Sequence, residues 1–218
     1  MAAPSGPEQG TRLWRVKEPN LREIDVPAFR KRIGALLDVY TAAMDPPLDQ
    51  LPGRHAIMQR HAVYPGFRAI VAERRRSTIR LLGGPPTETA GFIYGFHGAQ
   101  GQWWHDVVYQ ALVDLGGRRH AEDWLADPFE VAELHVHPDA QGQGLGRRLI
   151  TELCEGRPER TVVLSTLDRP GSRARRLYQS LGLTDLLSDF EFPGGGPPYA
   201  VMGAALPLAR YASAPSRP

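Results

Sequence analysis

The sequence predicts an α/β (α+β) fold in which helices flank a central sheet. The clearest sign is a single unit of strand, glycine turn and helix. Residues Glu130 to Val136 mix β-branched and apolar side chains and stop before Pro138, which is typical of a strand. A glycine-rich run over 142–146 follows. An amphipathic helix is then predicted by leucines spaced four residues apart: Leu145, Leu149 and Leu153. Strand-like and helical segments are intermixed along the rest of the chain.

The length and composition are those of a globular protein with one large domain or two small ones. The chain has 218 residues, of which 42% are hydrophobic and 23% charged, so it can bury a substantial core. We expect a single domain over residues 11–208. Flexible tails are expected at 1–10 and 209–218, where Ala, Pro, Ser and Gly predominate. The net charge of +2 gives no indication of a nucleic-acid partner.

Cysteine use and hydropathy predict a cytoplasmic protein. Cys154 is the one cysteine and cannot form an internal disulfide, which fits a reducing compartment. No segment approaches the roughly 20 consecutive apolar residues of a membrane span. Residues 1–10 lack the charged and apolar regions of a signal peptide. We therefore expect no membrane partner.

The N-terminal half predicts helices and strands in alternation. Residues 11–16 alternate enough for a first strand. A helix is predicted from Pro27 to a stop at Asp45, because five apolar residues share one helical face: Phe29, Ile33, Leu36, Leu37 and Tyr40. The next elements are a helix over 54–63, strands over 67–73 and 90–96, and a solvated loop containing the arginines 74–76.

A long connection, 98–127, separates these strands from the central unit. It contains a helical pattern that ends at Gly116 and consists of Trp104, Val107, Val108, Ala111, Leu112 and Leu115. Long ordered insertions often form lids over binding sites. Extra core packing or a homodimer surface is an equally open interpretation. The remaining elements are a strand over 161–166, a helix capped by Ser172, and a strand pair over 186–192 and 199–206.

The alternating glycines at the start of the central helix predict an anion site. Glycine lets the backbone come close to a ligand, and the first helical turn leaves about four amides without partners. These amides and the helix dipole suit a pyrophosphate. A Rossmann dinucleotide site is the competing interpretation, but it requires Gly-x-Gly-x-x-Gly. Here Gly146 comes one position too soon.

Two motifs together resemble the GCN5-related N-acetyltransferase (GNAT) family. Residues 136–146, Val-His-Pro-Asp-Ala-Gln-Gly-Gln-Gly-Leu-Gly, look like its acetyl-CoA signature. Residues 174–183, Ala-Arg-Arg-Leu-Tyr-Gln-Ser-Leu-Gly-Leu, look like its second motif. Two positions depart from the pattern: Gly171 stands where the family often has Asn, and Leu183 replaces an aromatic residue. The resemblance implies an acyl-CoA N-acyltransferase fold, with a mixed, mostly antiparallel sheet and a splayed central strand pair.

The resemblance also implies that acetyl-CoA is the cosubstrate and that a primary amine attacks it directly. The main chain of 134–136 would pair with the pantetheine arm, amides of 141–147 would hold the pyrophosphate, and Ser172 would replace the missing Asn contact. The implied cofactor-binding residues are Leu134, His135, Val136, Gln141, Gly142, Gln143, Gly144, Leu145, Gly146, Arg147 and Ser172. No metal is expected, because His135 and His137 share a strand face without an evident third ligand.

The chemistry requires two proton transfers. An alkylammonium of pKa about 10.4 must lose a proton, and a departing thiolate of pKa about 8.5 must gain one. The resemblance implies Tyr178 as the acid. Glu130, at the position where some family members carry their base, and Glu133 are both candidates for the base. Strand alternation would point Glu133 to the opposite face unless a bulge intervenes, so we favour Glu130.

The expected acceptor is a small-molecule amine. Trp103 and Trp104 are interpreted as walls of an acceptor pocket, with Asp106 attracting the amine. Anchoring of the inserted helix in the core is the alternative role for the two tryptophans. A protein or peptide acceptor also stays open. A module that binds acyl-CoA without catalysis is a second class of function, but Tyr178 and the nearby carboxylates favour an enzyme.

Overall fold

The structure is a computed structural model and describes residues 18–75 and 87–208. In these residues one sheet of seven strands is covered by five helices. The strands are β1 (Asn20–Ile24), β2 (Arg68–Arg75), β3 (Thr87–His97), β4 (Pro128–Val136), β5 (Thr161–Leu167), β6 (Thr184–Phe190) and β7 (Tyr199–Ala205). The helices are α1 (Val26–Met44), α2 (Leu51–His61), α3 (Trp103–Leu125), α4 (Leu145–Cys154) and α5 (Arg173–Gln179).

The sheet is mixed and mostly antiparallel, which confirms the predicted fold class. Its strand order is β1-β2-β3-β4-β5-β7-β6. Every neighbouring pair is antiparallel except β4 and β5, which run parallel through the middle of the sheet. Parallel neighbours require a crossover, and α4 supplies it. The glycine turn that precedes α4 therefore lies where β4 ends, at the central strand pair.

The two faces of the sheet carry different helices. On one face, α1 and α2 pack on β2 and β3 through a cluster that includes Phe29 and Tyr94. On the other face, α4 and α5 pack through a cluster that includes Leu149 and Val162. Val163 follows Val162 on β5 and packs against α3 instead. Because side chains alternate along a strand, α3 shares the face of α1 and α2, over the other half of the sheet.

The first helix begins and ends where the sequence predicts. Asp25 is its N-cap, and the side chain accepts a hydrogen bond of 2.8 Å from the amide of Ala28. Pro27 fits the first turn, where no amide partner is needed. The helix stops at Asp45, which adopts a left-handed conformation with φ of 47° and precedes a proline pair.

Several predicted elements need correction. Arg74 and Arg75 belong to β2 and not to a loop, and Arg74 Nε donates to Glu88 Oε1 at 2.6 Å across the β2–β3 pair. The helix predicted over 54–63 begins earlier, at Leu51. Strand β1 was not predicted. The strand expected over 11–16, Arg76 and both tails lie outside the described residues, and the single domain over 11–208 stays a prediction.

The inserted segment forms two helical runs. Gly117 has φ of 83° and ψ of 172° and breaks α3, so the pattern ends where expected. A second run then continues to Leu125, which the sequence did not predict. Val108 and Leu112 from the first run and Ala121 from the second are buried against β5–β7, whereas Leu115 is exposed. Among the described residues, none of the helices combines the length and the apolar character needed to cross a membrane.

Candidate active site

The central strands part at the middle of the sheet. β4 and β5 are paired only at Pro128 with Thr161, Phe129 with Val162, and Glu130 with Val163. Beyond Glu130, β4 continues to its end at Val136 without further pairing to β5. The gap leaves backbone groups of both strands without ladder partners. Such a gap can admit an extended arm between the strands, and Glu130 lies at its closed end.

The glycine turn has the conformation of an anion site. Gly142 and Gly144 have φ of 76° and 77°, and a Cβ at either position would meet nothing within 4 Å. Gly144 is the N-cap of α4 and supplies no side chain to cap it, so the amides of the first turn stay available. The Gln141 side chain is engaged elsewhere: its Nε2 donates to the carbonyl of Val136 at 3.0 Å and closes the turn.

The other predicted cofactor-binding residues are either packed in the core or form local hydrogen bonds through their side chains. Leu134, Val136 and Leu145 pack into the cluster under α4, which leaves only their main chain for a ligand. Gly146 lies where a Cβ would be 3.2 Å from Leu177, and so sets the close approach of α4 and α5. The remaining side chains are engaged locally: Gln143 Nε2 donates to the carbonyl of Asp139, Arg147 Nη2 donates to Ser180 Oγ, and Ser172 Oγ caps α5 by accepting from the amide of Arg175.

A β-bulge brings the two candidate bases onto one face. In the β3–β4 ladder Gly95 pairs with Val131 and Tyr94 with Glu133, so Ala132 has no partner. The extra residue reverses the alternation. Glu130, paired with Phe96, and Glu133 therefore both face the layer of α1 and α2.

Glu130 is a buried carboxyl group that has no partner among the described residues. The residue is 5% exposed, and within 18–75 and 87–208 no group forms a hydrogen bond with its Oε2. Burial raises the pKa of Glu130 to about 8. A pKa near neutrality is what general-base catalysis favours.

Glu133 is held in an ion pair. Arg54 Nη1 donates to its Oε1 at 2.5 Å, and His135 Nε2 lies 2.5 Å from its Oε2. Burial opposes ionisation, but the hydrogen bonds and charges of His135 and Arg54 outweigh it and lower the pKa of Glu133. The carboxylate is therefore charged and both of its oxygens are occupied. This leaves Glu130 as the better placed base of the two.

Tyr178 lies on the opposite face. It belongs to the core cluster of α4 and α5 and is 6% exposed. Burial, and after it the charge of Glu133, hold the pKa of Tyr178 above its usual range, so the phenol keeps its proton. Tyr178 packs on the face of α4 and α5, whereas Glu130 faces the layer of α1 and α2, so the two candidate side chains lie on opposite faces of the sheet.

The sequence did not single out the side chains that surround the two glutamates. Arg54 on α2 stacks over the ring of Tyr40 on α1, 4.8 Å from its centroid. His61 at the end of α2 lies with its Nδ1 3.2 Å from Tyr94 Oη on β3. A weak signal existed: α2 buries only Met58, so its basic residues and not an apolar face tie it to the sheet.

The predicted acceptor residues lie at the start of α3. Trp104 Nε1 donates to Ser165 Oγ on β5 at 3.2 Å, which anchors the helix. Trp103 is 59% exposed and lies against Phe192, from the segment between β6 and β7. Asp106 accepts hydrogen bonds from the amide of Gly101 and so stabilises the turn before the helix. Trp103 is thus the residue of the three with free surface.

Comparisons with known proteins identify the family of this chain. The sequence profile of the Acetyltransferase (GNAT) domain matches residues 93–183. The chain is 35% identical over 201 residues to the GCN5-like protein acetyltransferase Rv2170 of Mycobacterium tuberculosis, covering 85% of this chain and 98% of that protein. The fold and its parted strands are those of an acyl-CoA acyltransferase. The chain belongs to the GNAT family of acetyltransferases and is an enzyme of that class.

Solved structures show the same fold at low sequence identity. Arabidopsis thaliana NAA60 in complex with acetyl-CoA superposes with a TM-score of 0.55 at 15% identity, covering 86% of this chain and 98% of that one. The NatC complex bound to Gag peptide and CoA gives a TM-score of 0.58 at 12% identity, covering 87% and 99%. At these identities the likeness concerns the fold alone.

Proposed function

We propose that this enzyme transfers the acetyl group of acetyl-CoA to a primary amine by direct attack in a ternary complex. The observation that carries the proposal is the buried, unpartnered carboxyl group of Glu130 at the point where β4 and β5 part. A buried acid without a partner is costly to a fold. It is retained where it has chemistry to perform.

Acetyl-CoA fits the residues present. Left-handed Gly142 and Gly144 leave open space beside free amides of α4, which suits the pyrophosphate. The main chain of 134–136 pairs with β3 but not with β5, and its β5 side suits the amide groups of a pantetheine arm. When bound, the thioester supplies the acyl carbon that the amine attacks.

Glu130 and Tyr178 have complementary roles in the proposal. Glu130, with its pKa near 8, accepts a proton from the acceptor ammonium. Tyr178 keeps its proton at neutral pH and donates it to the departing sulfur, and the second proton of the attacking nitrogen restores the Tyr178 hydroxyl group as the amide forms. Glu133 stays ionised and holds Arg54 and His135 in place.

The acceptor amine belongs, in this proposal, to a protein. The relative that matches nearly end to end is named a protein acetyltransferase. Large apolar side chains are exposed at Leu48 before α2 and at Trp103 at the start of α3, and they offer contacts to a protein acceptor. The small-molecule acceptor expected from the sequence is the alternative.

CoA release with two sets of acceptors separates these possibilities. The first set is poly-L-lysine and lysine-containing peptides; the second is free lysine, polyamines and aminoglycosides. Turnover confined to the second set would overturn the protein acceptor. Within the active set, Tyr178→Phe should lower kcat about 100-fold without weakening acetyl-CoA binding. Unchanged kcat in Tyr178→Phe would remove it as the acid.

A further inference from the structure

Glu133 holds a cation on the same face as the proposed base. Arg54 Nη1 donates to its Oε1 at 2.5 Å, and the guanidinium group lies over the ring of Tyr40, 4.8 Å from the centroid. His135 Nε2 lies 2.5 Å from the other carboxylate oxygen, and its ring packs edge to face on Tyr40 with centroids 5.0 Å apart. A carboxylate beside an aromatic ring attracts alkylammonium groups as well as guanidinium groups.

This cation site lies between the open end of the strand gap and Glu130. Glu130 pairs with Phe96 on β3. Glu133 pairs with Tyr94, two residues earlier, so the two glutamates are about 7 Å apart along the strand. Glu130 stands at the last pairing of β4 with β5, and Glu133 lies beyond it, where the strands have parted. An amine that enters along this face therefore meets Glu133 first.

Arg54 is the least buried member of the group. Its side chain is 36% exposed, whereas the side chains of Glu133 and His135 are 7% and 11% exposed. The helix that carries it, α2, buries only Met58. Tyr40 is packed in the core and His135 belongs to β4, so neither depends on Arg54 for its position. A second cation in its place would keep the buried carboxylate paired, and the arginine would regain its hydration.

We propose that Glu133 and Tyr40 bind the ammonium group of the acceptor and that Arg54 occupies this position in the free enzyme, which rests on the function proposed above. The acceptor displaces the guanidinium group to solvent, and one cation replaces another without any covalent change. The amine then moves on to Glu130, which removes its proton. Since a neutral group cannot take the place of Arg54 beside the carboxylate, the site selects an alkylammonium such as the lysine side chain.

Acetyl transfer to lysine-containing peptides tests the exchange. Occupation by Arg54 reduces the fraction of enzyme that can bind the acceptor and so raises the KM of the acceptor. Arg54→Met should therefore lower that KM at least five-fold, with the Kd for acetyl-CoA unchanged. Arg60→Met is the matched control, because Arg60 is an exposed arginine on the same helix, and it should keep the wild-type KM. An unchanged or higher KM in Arg54→Met would overturn the proposal.

Labelling of the wild-type protein requires neither a variant nor turnover. Phenylglyoxal modifies accessible guanidinium groups, and mass spectrometry of peptides measures each arginine separately. n-Butylammonium chloride imitates the lysine side chain. At constant ionic strength it should raise the labelling of Arg54 relative to Arg60 at least two-fold, and n-butanol should not. A ratio that does not respond to the ammonium ion, or that responds equally to the alcohol, would overturn the exchange.

The outcomes separate this site from the function on which it depends. If no amine is acetylated, or if Glu130→Gln keeps the wild-type kcat, the proposed function fails, and the acceptor role of Glu133 fails with it. If peptides are acetylated and Glu130→Gln is inactive, but neither the KM of Arg54→Met nor the labelling of Arg54 changes, only the exchange at Glu133 is overturned.

Discussion

The two faces of the sheet contribute to the candidate site in different ways. On the face of α4 and α5, the groups proposed to bind acetyl-CoA are main-chain amides, and Tyr178 is the one side chain there to which we assign a chemical role. On the face of α1, α2 and α3, the groups are charged and aromatic side chains brought together from distant segments, including Tyr40, Arg54, Tyr94 and Glu133. Apart from Tyr178, one face contributes backbone groups to the candidate site and the other contributes side chains.

This difference separates tasks that the two faces perform. A cosubstrate of fixed structure is matched by a backbone conformation, which tolerates many side chains. In the proposal, acceptor binding and proton transfer require particular titratable side chains. Substitutions on the two faces should therefore have different effects: three variants test activity and binding, and a fourth, Arg54→Met, tests stability.

The largest effect is expected for Glu130→Gln. Removal of the general base should lower kcat/KM about 10²–10⁴-fold. Because Glu130 must be ionised to act and its pKa is about 8, wild-type kcat/KM should rise with pH and level off above about 8. The variant should lose this rise. Glu152→Gln, on the exposed side of α4, should keep both rate and profile. A wild-type profile in Glu130→Gln would contradict the assignment.

Arg54→Met should act on stability. It leaves the buried Glu133 carboxylate with one partner fewer, and we expect a loss of about 2 kcal/mol in the free energy of unfolding, below the full cost for a buried pair because Arg54 is partly exposed. The lowered pKa of Glu133 means that its stabilising contribution is present at neutral pH and is lost as pH falls below the usual carboxyl range near 4.5.

Denaturation of wild type and Arg54→Met at pH 7 and pH 3 measures this difference. The two proteins should converge in acid. A constant difference at both pH values would show that Arg54 stabilises by packing on Tyr40 and not by charge.

Gly144→Ala should weaken acetyl-CoA binding about ten-fold, because a Cβ at φ of 77° strains the turn that presents the α4 amides. Gly156→Ala is a matched control. Gly156 has φ of 70° and the same open surroundings, but follows the other end of α4. Both variants should lose about 1 kcal/mol of stability. Equal Kd values for acetyl-CoA, measured by calorimetry, would contradict a role for the Gly144 turn.

Trp103→Ala should give the smallest effect. Its side chain is largely exposed, so stability should change by less than about 0.5 kcal/mol. Loss of acceptor contacts should raise the KM of the acceptor about five-fold, roughly 1 kcal/mol, and leave the KM of acetyl-CoA unchanged. A change in the KM of acetyl-CoA instead would place this tryptophan on the cosubstrate side.

The same contrast explains how much the sequence could predict. Strand β4, the glycine turn and α4 are contiguous, and hydrophobic periodicity with glycine spacing predicts all three. Spacing alone also predicted the open turn at Gly142 and Gly144. The fold class, the family and the order of most elements followed from this region and the α5 motif.

The arrangement of side chains on the face of α1, α2 and α3 could not be predicted in this way. The partners of Glu133 are Arg54, from a helix 79 positions away in sequence, and His135. The bulge at Ala132 turns Glu133 toward Arg54, but alanine at this position does not distinguish a bulge from a regular strand. The sequence around Ala132 therefore does not predict the bulge. The second run of α3 was not predicted because a glycine such as Gly117 is also the usual sequence signal for the end of a helix.

The raised pKa of Glu130 has opposite consequences for the activity and the folding stability of the protein as the pH rises. Its pKa is raised from 4.5 to about 8, so between these values the folded protein binds more protons than the unfolded chain. Folding stability must therefore decrease as pH rises through this window. Over the same window the proposed base becomes ionised and acetyl transfer accelerates. The contribution of Glu130 to folding stability should therefore be lowest at the pH where acetyl transfer is fastest. Glu130→Gln should be less active than the wild type but more stable to heat at alkaline pH.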